Sequence, residues 1–344
     1  MSKIPESQNT IAALIDRHHE SRVEPPRPHM GCSQLGHPCA RYLWLSFRWA
    51  VQPKFPGRIL RLFRRGQLEE TIIVSDLRAI GMDVRNTSAA QARVDLGCHV
   101  SGSVDGIIES GVPEAPKKRH IAEFKTHSKK SFDELVKCGI EKAKPMHYVQ
   151  MQLYMHGTEI DRALYIGICK DDDRIYTERI RYDTAIANKY MERGHRLALE
   201  NRMPPPISTD PSWYQCCKFC DAHEFCHDTL TTQHVNCRTC SHSTAKEDST
   251  WRCERHQADG IPVEFQRQGC DSHVLHPDLV PWMLQEGRDE WTAVYVIDGK
   301  PVGNGEPRQG VFSSRELLAN PAACAGGDAF VAEMRARFDG RIVR

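Results

Sequence analysis

GSVDGIIES (residues 102–110), HIAEFKTHSKKSF (120–132) and PMHYVQMQLY (145–154) decide how the rest of this chain is read. Val104-Asp105-Gly106 sits in an alternating apolar run that predicts a strand from Ser103 to Glu109. Ala122-Glu123-Phe124-Lys125 lies on a second strand pattern, His120 to Lys125. Successive side chains of a strand point to opposite faces, so Glu123 and Lys125 share one face and Phe124 takes the other. Two strands joined by a short connection pair side by side, which would bring Asp105, Glu123 and Lys125 to one edge. Two carboxylates and an ammonium crowded together are costly unless something binds there. A divalent cation held by hard oxygen donors, Mg2+ or Mn2+, is the natural occupant. Asp105 and Glu123 would hold it, helped by the backbone carbonyl of Phe124. Lys125 would position the attacking water and steady charge on a phosphate.

These residues carry a resemblance. Asp105, then Glu123-x-Lys125, then Gln150-x-x-x-Tyr154, in that order, resembles the PD-(D/E)XK nuclease superfamily in its RecB-like phage exonuclease branch. Val-Asp stands here where the superfamily name has Pro-Asp. The resemblance covers roughly Gly31 to Cys226. It implies an α/β fold of the restriction-endonuclease-like type, with a central mixed sheet flanked by helices. It also implies a role for Gln150 and Tyr154, which are four residues apart on one helical face, in placing the DNA backbone near the site. In related nucleases a helix with Gly-x-x-x-Glu or Gly-x-x-x-His reaches the active site. In Gly66-Gln67-Leu68-Glu69-Glu70 that spacing selects Glu70 for an extra metal contact, with Glu69 as the alternative.

Composition narrows the class of protein. Charged residues make up 26% and apolar ones 40%, an ordinary globular balance over 344 residues. The net charge is only +1, so nucleic acid would have to be met by a local patch, with Arg58, Arg61, Arg64 and Arg65 as the candidate. There is no run of 18 apolar residues and no apolar core near the N-terminus, so the expectation is a cytoplasmic protein with no membrane span (the host cytoplasm if phage-encoded). Fourteen cysteines without an export signal argue for metal rather than disulfides, and eight of them lie between Cys216 and Cys270.

Residues 1–30 read as an N-terminal arm, with a helix over Thr10 to Glu20 and a break at Pro25, Pro26 and Pro28. Residues 31–228 read as the nuclease domain. Within it the pattern predicts a helix over Gly57 to Ile80 and strands Asp83–Asn86 and Ala92–Val100. It then predicts a helix over Ser131–Cys138, the Gln150/Tyr154 helix, strands Arg162–Cys169 and Arg174–Ile180, and a helix from Asp183 to Asn201 capped by Asp183. Residues 229–280 read as a zinc-binding module. Residues 281–344 form a small α+β region, with a hairpin turning on Asp298-Gly299, a helix start at Ser313 or Ser314 and a last helix over Phe330–Phe338. No catalytic constellation is visible in this last region.

WYQCCKFCDAHEFCH (213–227) contains Cys217-x-x-Cys220 and then Cys226. With distant Cys39, just ahead of an aromatic-rich helical pattern, that makes four thiolates, enough for Zn2+ or a 4Fe-4S cluster. The resemblance selects the structural 4Fe-4S cluster that staples some RecB-type nucleases. Cys216 competes with Cys217. The second group is Cys237-x-x-Cys240 and Cys253, with Cys270 or His256 as the fourth ligand. Cys270 is preferred because Gly269-Cys270 resembles a turn ligand of a zinc-ribbon-like module appended to some phage nucleases. A structural Zn2+ would explain how so polar a segment folds.

The function this implies is a metal-dependent deoxyribonuclease, an exonuclease working from DNA ends in recombination or replication. The alternative is a DNA-binding or partner-binding module that keeps the fold without cleavage. DNA is the partner. Analogy of fold adds a single-strand annealing or recombinase protein, and leaves room for an oligomer.

Overall fold

Alternation along residues 83–181 does build a sheet. The structure, a computed structural model, describes residues 10–22, 24–212, 220–327 and 329–342. They fall into two units, one of residues 1–37, 54–96 and 100–194, the other of residues 38–53, 97–99 and 195–344. In chain order the elements are α1 (Ile11–Glu20), β1 (Met30–Gly31), α2 (Cys32–Leu35), α3 (Ala40–Phe47), α4 (Gly57–Ala79), β2 (Asp83–Arg85), β3 (Arg93–Asp95), β4 (Val100–Ser103), β5 (Gly106–Ser110) and β6 (His120–His127). Then come α5 (Lys129–Ala143), α6 (Pro145–Thr158), β7 (Arg162–Cys169), β8 (Ile175–Arg181) and α7 (Thr184–Leu199).

The first unit is a mixed α/β fold. Its main sheet has the order β2-β5-β6-β7-β8, antiparallel throughout except for the parallel pair β6/β7. A parallel pair needs a long crossover, and α5 and α6 supply it. Ile73, Val74 and Leu77 of α4 pack on the face that carries Ile108, Phe124, Leu164 and Ile166. Phe124 is therefore core, and its neighbours Glu123 and Lys125 take the opposite face. A smaller sheet, β1-β4-β3, lies in the same unit.

The cap read at Asp183 acts as expected, its carboxylate accepting from the amides of Ala185 and Ile186 at 2.9 and 3.1 Å. Thr10, read as the first helical residue, instead caps α1 through its hydroxyl. Three expectations fail. Ala92–Val100 is not one strand: Gly97, Cys98 and His99 are left-handed (φ +75°, +42° and +65°) and fold it into the β3/β4 hairpin. Ser103–Glu109 is not one strand either, because the chain leaves the smaller sheet at Ser103 and enters the larger at Gly106. Asp105 thus sits in a break between two sheets rather than in a strand. The Ser131–Cys138 helix runs longer, Lys129–Ala143, bending where Gly139 takes a φ of +71°.

The second unit holds α3 and the elements β9 (Ser243–Ala245), β10 (Trp251–Cys253), α8 (Val263–Gln268), β11 (Met283–Asp289), β12 (Thr292–Ile297), β13 (Lys300–Asn304), β14 (Val311–Phe312), α9 (Ser314–Ala319), α10 (Pro321–Gly326) and α11 (Ala329–Phe338). β11 to β14 form a sheet in sequence order, with the β12/β13 hairpin turning on Asp298 and Gly299 (φ +50° and +75°). Ser313 and Glu316 form the capping box of α9. Two arginines, Arg48 and Arg238, are almost wholly buried, and the Arg238 guanidinium lies 3.8 Å from the centre of the Trp49 ring. Among the described residues, no helix is long and apolar enough to cross a membrane.

Candidate active site and cysteine clusters

The β5/β6 ladder ends at the Gly106–Ala122 pair, and Asp105 takes over from it. Its Oδ2 accepts the Phe124 amide at 3.0 Å, so the carboxylate is fixed where a strand partner would have been. Lys125 Nζ lies 3.4 Å from the same oxygen, donates to the Phe124 carbonyl at 3.1 Å and pairs with Glu123. Asp105, Glu123, Lys125 and the Phe124 carbonyl therefore meet at one point.

Glu123 is fully buried, and neither of its oxygens accepts a hydrogen bond of ordinary geometry. Burial, then the charge of Asp105, push its carboxyl from 4.5 up to about 8 against the pull of Lys125. Burial works against the Lys125 ammonium, yet Glu123 and Asp105 outweigh it and raise its pKa. Glu70 of α4 joins the group. Its carboxyl is pushed up to about 7 by burial and then by Asp105, again opposed by Lys125. α4 passes β6 at Gly66, where a Cβ would stand in ordinary contact, 3.8 Å from Thr126 Oγ1. Glu70, the residue that the Gly-x-x-x-Glu spacing points to, is thus within electrostatic reach of Asp105 and Lys125. Among the described residues, no three His, Cys, Asp or Glu side chains are already closed into a metal cage. The donor set nevertheless fits a hard divalent cation, because Asp105, Glu123 and Glu70 bring three carboxyl groups together against the single ammonium of Lys125.

Gln150 and Tyr154 are both buried on α6, and Gln150 Nε2 donates to the Tyr154 hydroxyl at 3.2 Å. Burial, then the charge of Glu123, raise the Tyr154 phenol. A Cβ at Gly102 would stand 2.8 Å from Tyr154 Cε1, so this glycine makes the seat for the tyrosine.

The sequence reading missed a buried network on the same face of the sheet. Tyr165 of β7 pairs in register with Glu123. Its hydroxyl lies 2.7 Å from His127 Nε2 and 3.1 Å from His147 Nδ1, and His127 Nδ1 lies 3.1 Å from Ser131 Oγ. Burial, followed by nearby lysines, lowers His127 to about 4; burial, then Lys125, lowers His147 to about 3. A signal for His127 was present, since it continues the Glu123, Lys125 alternation. Tyr165 gave none, because its neighbourhood depends on the β6/β7 register.

The cysteine clusters lie in the second unit. Cys39 caps α3, its sulfur accepting the Tyr42 amide at 3.4 Å. Burial, then the charges of Cys39 and Cys226, push the Cys220 thiol up to about 12, so these three are neighbours. Cys217 and its competitor Cys216 lie outside the described residues. Cys237, Cys240, Cys253, Cys270 and His256 line a single cavity of about 20 Å³, room for little more than one small occupant. The Cys270 sulfur is 3.9 Å from His256 Nε2, so both candidates for the fourth ligand reach it. Burial, then Cys270 and Cys253, raise Cys237 to about 11. Sulfur donors crowded around so small a space fit Zn2+. His273 also lines it, but its ring nitrogens are engaged by Ser314 at 2.7 Å and by Thr239 and the Asn236 carbonyl at 3.1 Å.

Several solved structures are similar to this chain. The protein SSO0001 aligns with a TM-score of 0.40 at 14% identity, over 64% of this chain and 98% of its own. The alkaline exonuclease LHK-Exo of Laribacter hongkongensis aligns at 0.36 and 17% identity, over 53% and 90%. A phage related exonuclease of Haemophilus somnus aligns at 0.29 and 20% identity, over 38% and 66%. No family model and no curated protein matches the chain.

Proposed function

We propose that this chain is a divalent-metal-dependent DNA nuclease that hydrolyses phosphodiester bonds, with exonucleolytic action from DNA ends. The observation that carries the reading is the meeting of two carboxylates, Asp105 and the fully buried Glu123, around the single ammonium of Lys125. One cation shared by two carboxylates in so buried a place leaves acidic oxygens short of positive charge, and such groups are kept where a ligand completes them. Asp105, Glu123 and the Phe124 carbonyl would hold Mg2+ or Mn2+, with Glu70 as an outer contact. The cation would supply charge stabilisation at the phosphoryl oxygens and a more acidic water. Lys125, fixed between Asp105 and the Phe124 carbonyl, would orient the attacking water and pair with the phosphate. Gln150 and Tyr154, both buried, would help place the DNA backbone by supporting the site from within the fold rather than by touching DNA. In the second unit, Cys39, Cys217, Cys220 and Cys226 would carry a structural 4Fe-4S cluster, and Cys237, Cys240, Cys253 and Cys270 a structural Zn2+.

The test is digestion of end-labelled linear and closed circular DNA with Mg2+, Mn2+ or EDTA, wild type beside Asp105→Ala and Lys125→Ala. Metal-dependent loss of linear DNA alone, absent in both variants, is the expected result. Cutting of circles would make it an endonuclease on the same residues. No cleavage by well-folded, metal-replete wild type would refute the reading.

A further inference from the structure

α4 does more than deliver Glu70. Its first three turns and the residues just before them carry Lys54, Arg58, Arg61, Arg64 and Arg65, with no acidic residue from Lys54 to Leu68. Asp16 of α1 pairs with Arg61, and Arg65 donates to the Lys170 carbonyl at 3.0 Å. Lys54, Arg58 and Arg64 are exposed. Two aromatic side chains stand among these cations. Phe63 is 47% exposed and Phe55 37%, and their rings meet edge to face at 5.0 Å. The pair keeps this exposure with α1 in place against α4, so packing inside the unit does not account for it.

Helical geometry ties the pair to the carboxylate site. Residues seven apart return to nearly the same face, about 10 Å along the axis. Phe63, Gly66 and Glu70 therefore share one face, which continues into the buried Val74 and Leu77. That face packs on the sheet at its C-terminal end, meets the site at Glu70 and runs out to Phe63. A strand of nucleic acid with its scissile phosphate at Asp105 and Glu123 would pass Phe63 two or three nucleotides away.

We propose that the basic N-terminal half of α4, with Phe63 and Phe55 as a stacking platform, is the track for single-stranded DNA leading into the site. The aromatic faces take unpaired bases, and Lys54, Arg58 and Arg64 take phosphates. Paired bases in a duplex hide their faces, so the platform discriminates in favour of an unpaired strand. The inference rests on the nuclease reading for its substrate class, and it adds strandedness to that reading.

Fluorescence anisotropy tests it, with Ca2+ in place of Mg2+, using a fluorescein-labelled 20-nucleotide oligothymidylate and a 20-base-pair duplex. Phe63→Ala should weaken oligothymidylate binding about ten-fold and duplex binding less than two-fold, and Phe63→Tyr should retain both. A 2-aminopurine oligonucleotide should be quenched by wild type and Phe63→Tyr but not by Phe63→Ala. Thermal unfolding of each variant confirms that it is folded. Equal losses for the two DNAs, or no loss at all, would overturn the inference. Because binding needs no cleavage, the two readings fail separately. A protein that binds oligothymidylate through Phe63 but cuts nothing sinks the nuclease; one that cuts and binds regardless of Phe63 sinks the track.

Discussion

Replacing Glu123 with glutamine should make the metal-free protein increasingly more stable than wild type as pH rises from 5 to 8. The folded-state carboxyl titrates near 8 rather than 4.5. Between those values the folded state holds a proton that the unfolded state has lost. The contribution of Glu123 to wild-type stability therefore falls with rising pH, by about 1.4 kcal/mol per unit, and its whole cost is about 3 to 5 kcal/mol once pH passes 8; the histidine contributions run the other way below 6.5 and cancel in the comparison with the variant. Glutamine titrates nowhere in this range. The substitution also removes one partner of Lys125, which keeps Asp105 at 3.4 Å, and that loss enters as an offset that does not vary with pH. Glu70 titrates in both proteins and largely cancels. The diagnostic is therefore the slope of the difference, measured by urea unfolding at half-unit steps in EDTA. Saturating Mg2+ should then stabilise the wild type and leave Glu123→Gln much less affected. Parallel curves, or a gap that opens in favour of wild type as pH rises, would show that Lys125 keeps Glu123 ionised and would refute the argument.

Gly102→Ala puts a methyl 2.8 Å from the Tyr154 ring and should cost about 1–3 kcal/mol; a double-mutant cycle with Tyr154→Ala should return much of it. Tyr165→Phe leaves His127 and His147 each short of a partner and should cost about 1–3 kcal/mol in chemical denaturation. His99 and His127, lowered to about 4, and His147 and His273, lowered to about 3, stay neutral in the fold and gain protons on unfolding below 6.5. Stability should accordingly fall with pH from 6.5 to 4, by up to about 1.4 kcal/mol per unit for each, read by thermal melts across that range. Cys240→Ser should release zinc and lower the melting temperature; comparing Cys270→Ser with His256→Ala by metal analysis decides the fourth ligand.

The stretch from Gly102 to Tyr154 shows how far local rules reach. Strand alternation placed Glu123 with Lys125 and against Phe124, and helical spacing put Gln150 beside Tyr154. Capping chemistry placed Asp183 and narrowed the start of α9 to Ser313 or Ser314, and Asp298-Gly299 made its turn. All of these act within about four residues, so the chain states them directly. The meeting of Asp105 with Glu123 and Lys125 was legible but the conformation of Asp105 was not. The sequence shows a continuous apolar run there, while the chain divides that run between two sheets and leaves the carboxylate to take the Phe124 amide.

What only the tertiary structure decided depends on contacts between distant segments. The β6/β7 register puts Tyr165 beside Glu123. The seating of Tyr154 on Gly102 belongs to the same class. So do the raised carboxyls of Glu70 and Glu123. A pKa shift of that kind comes from burial and from charges brought close by folding, and residues far apart along the chain contribute to it. The sequence determined which groups were available for chemistry; packing determined which were buried together.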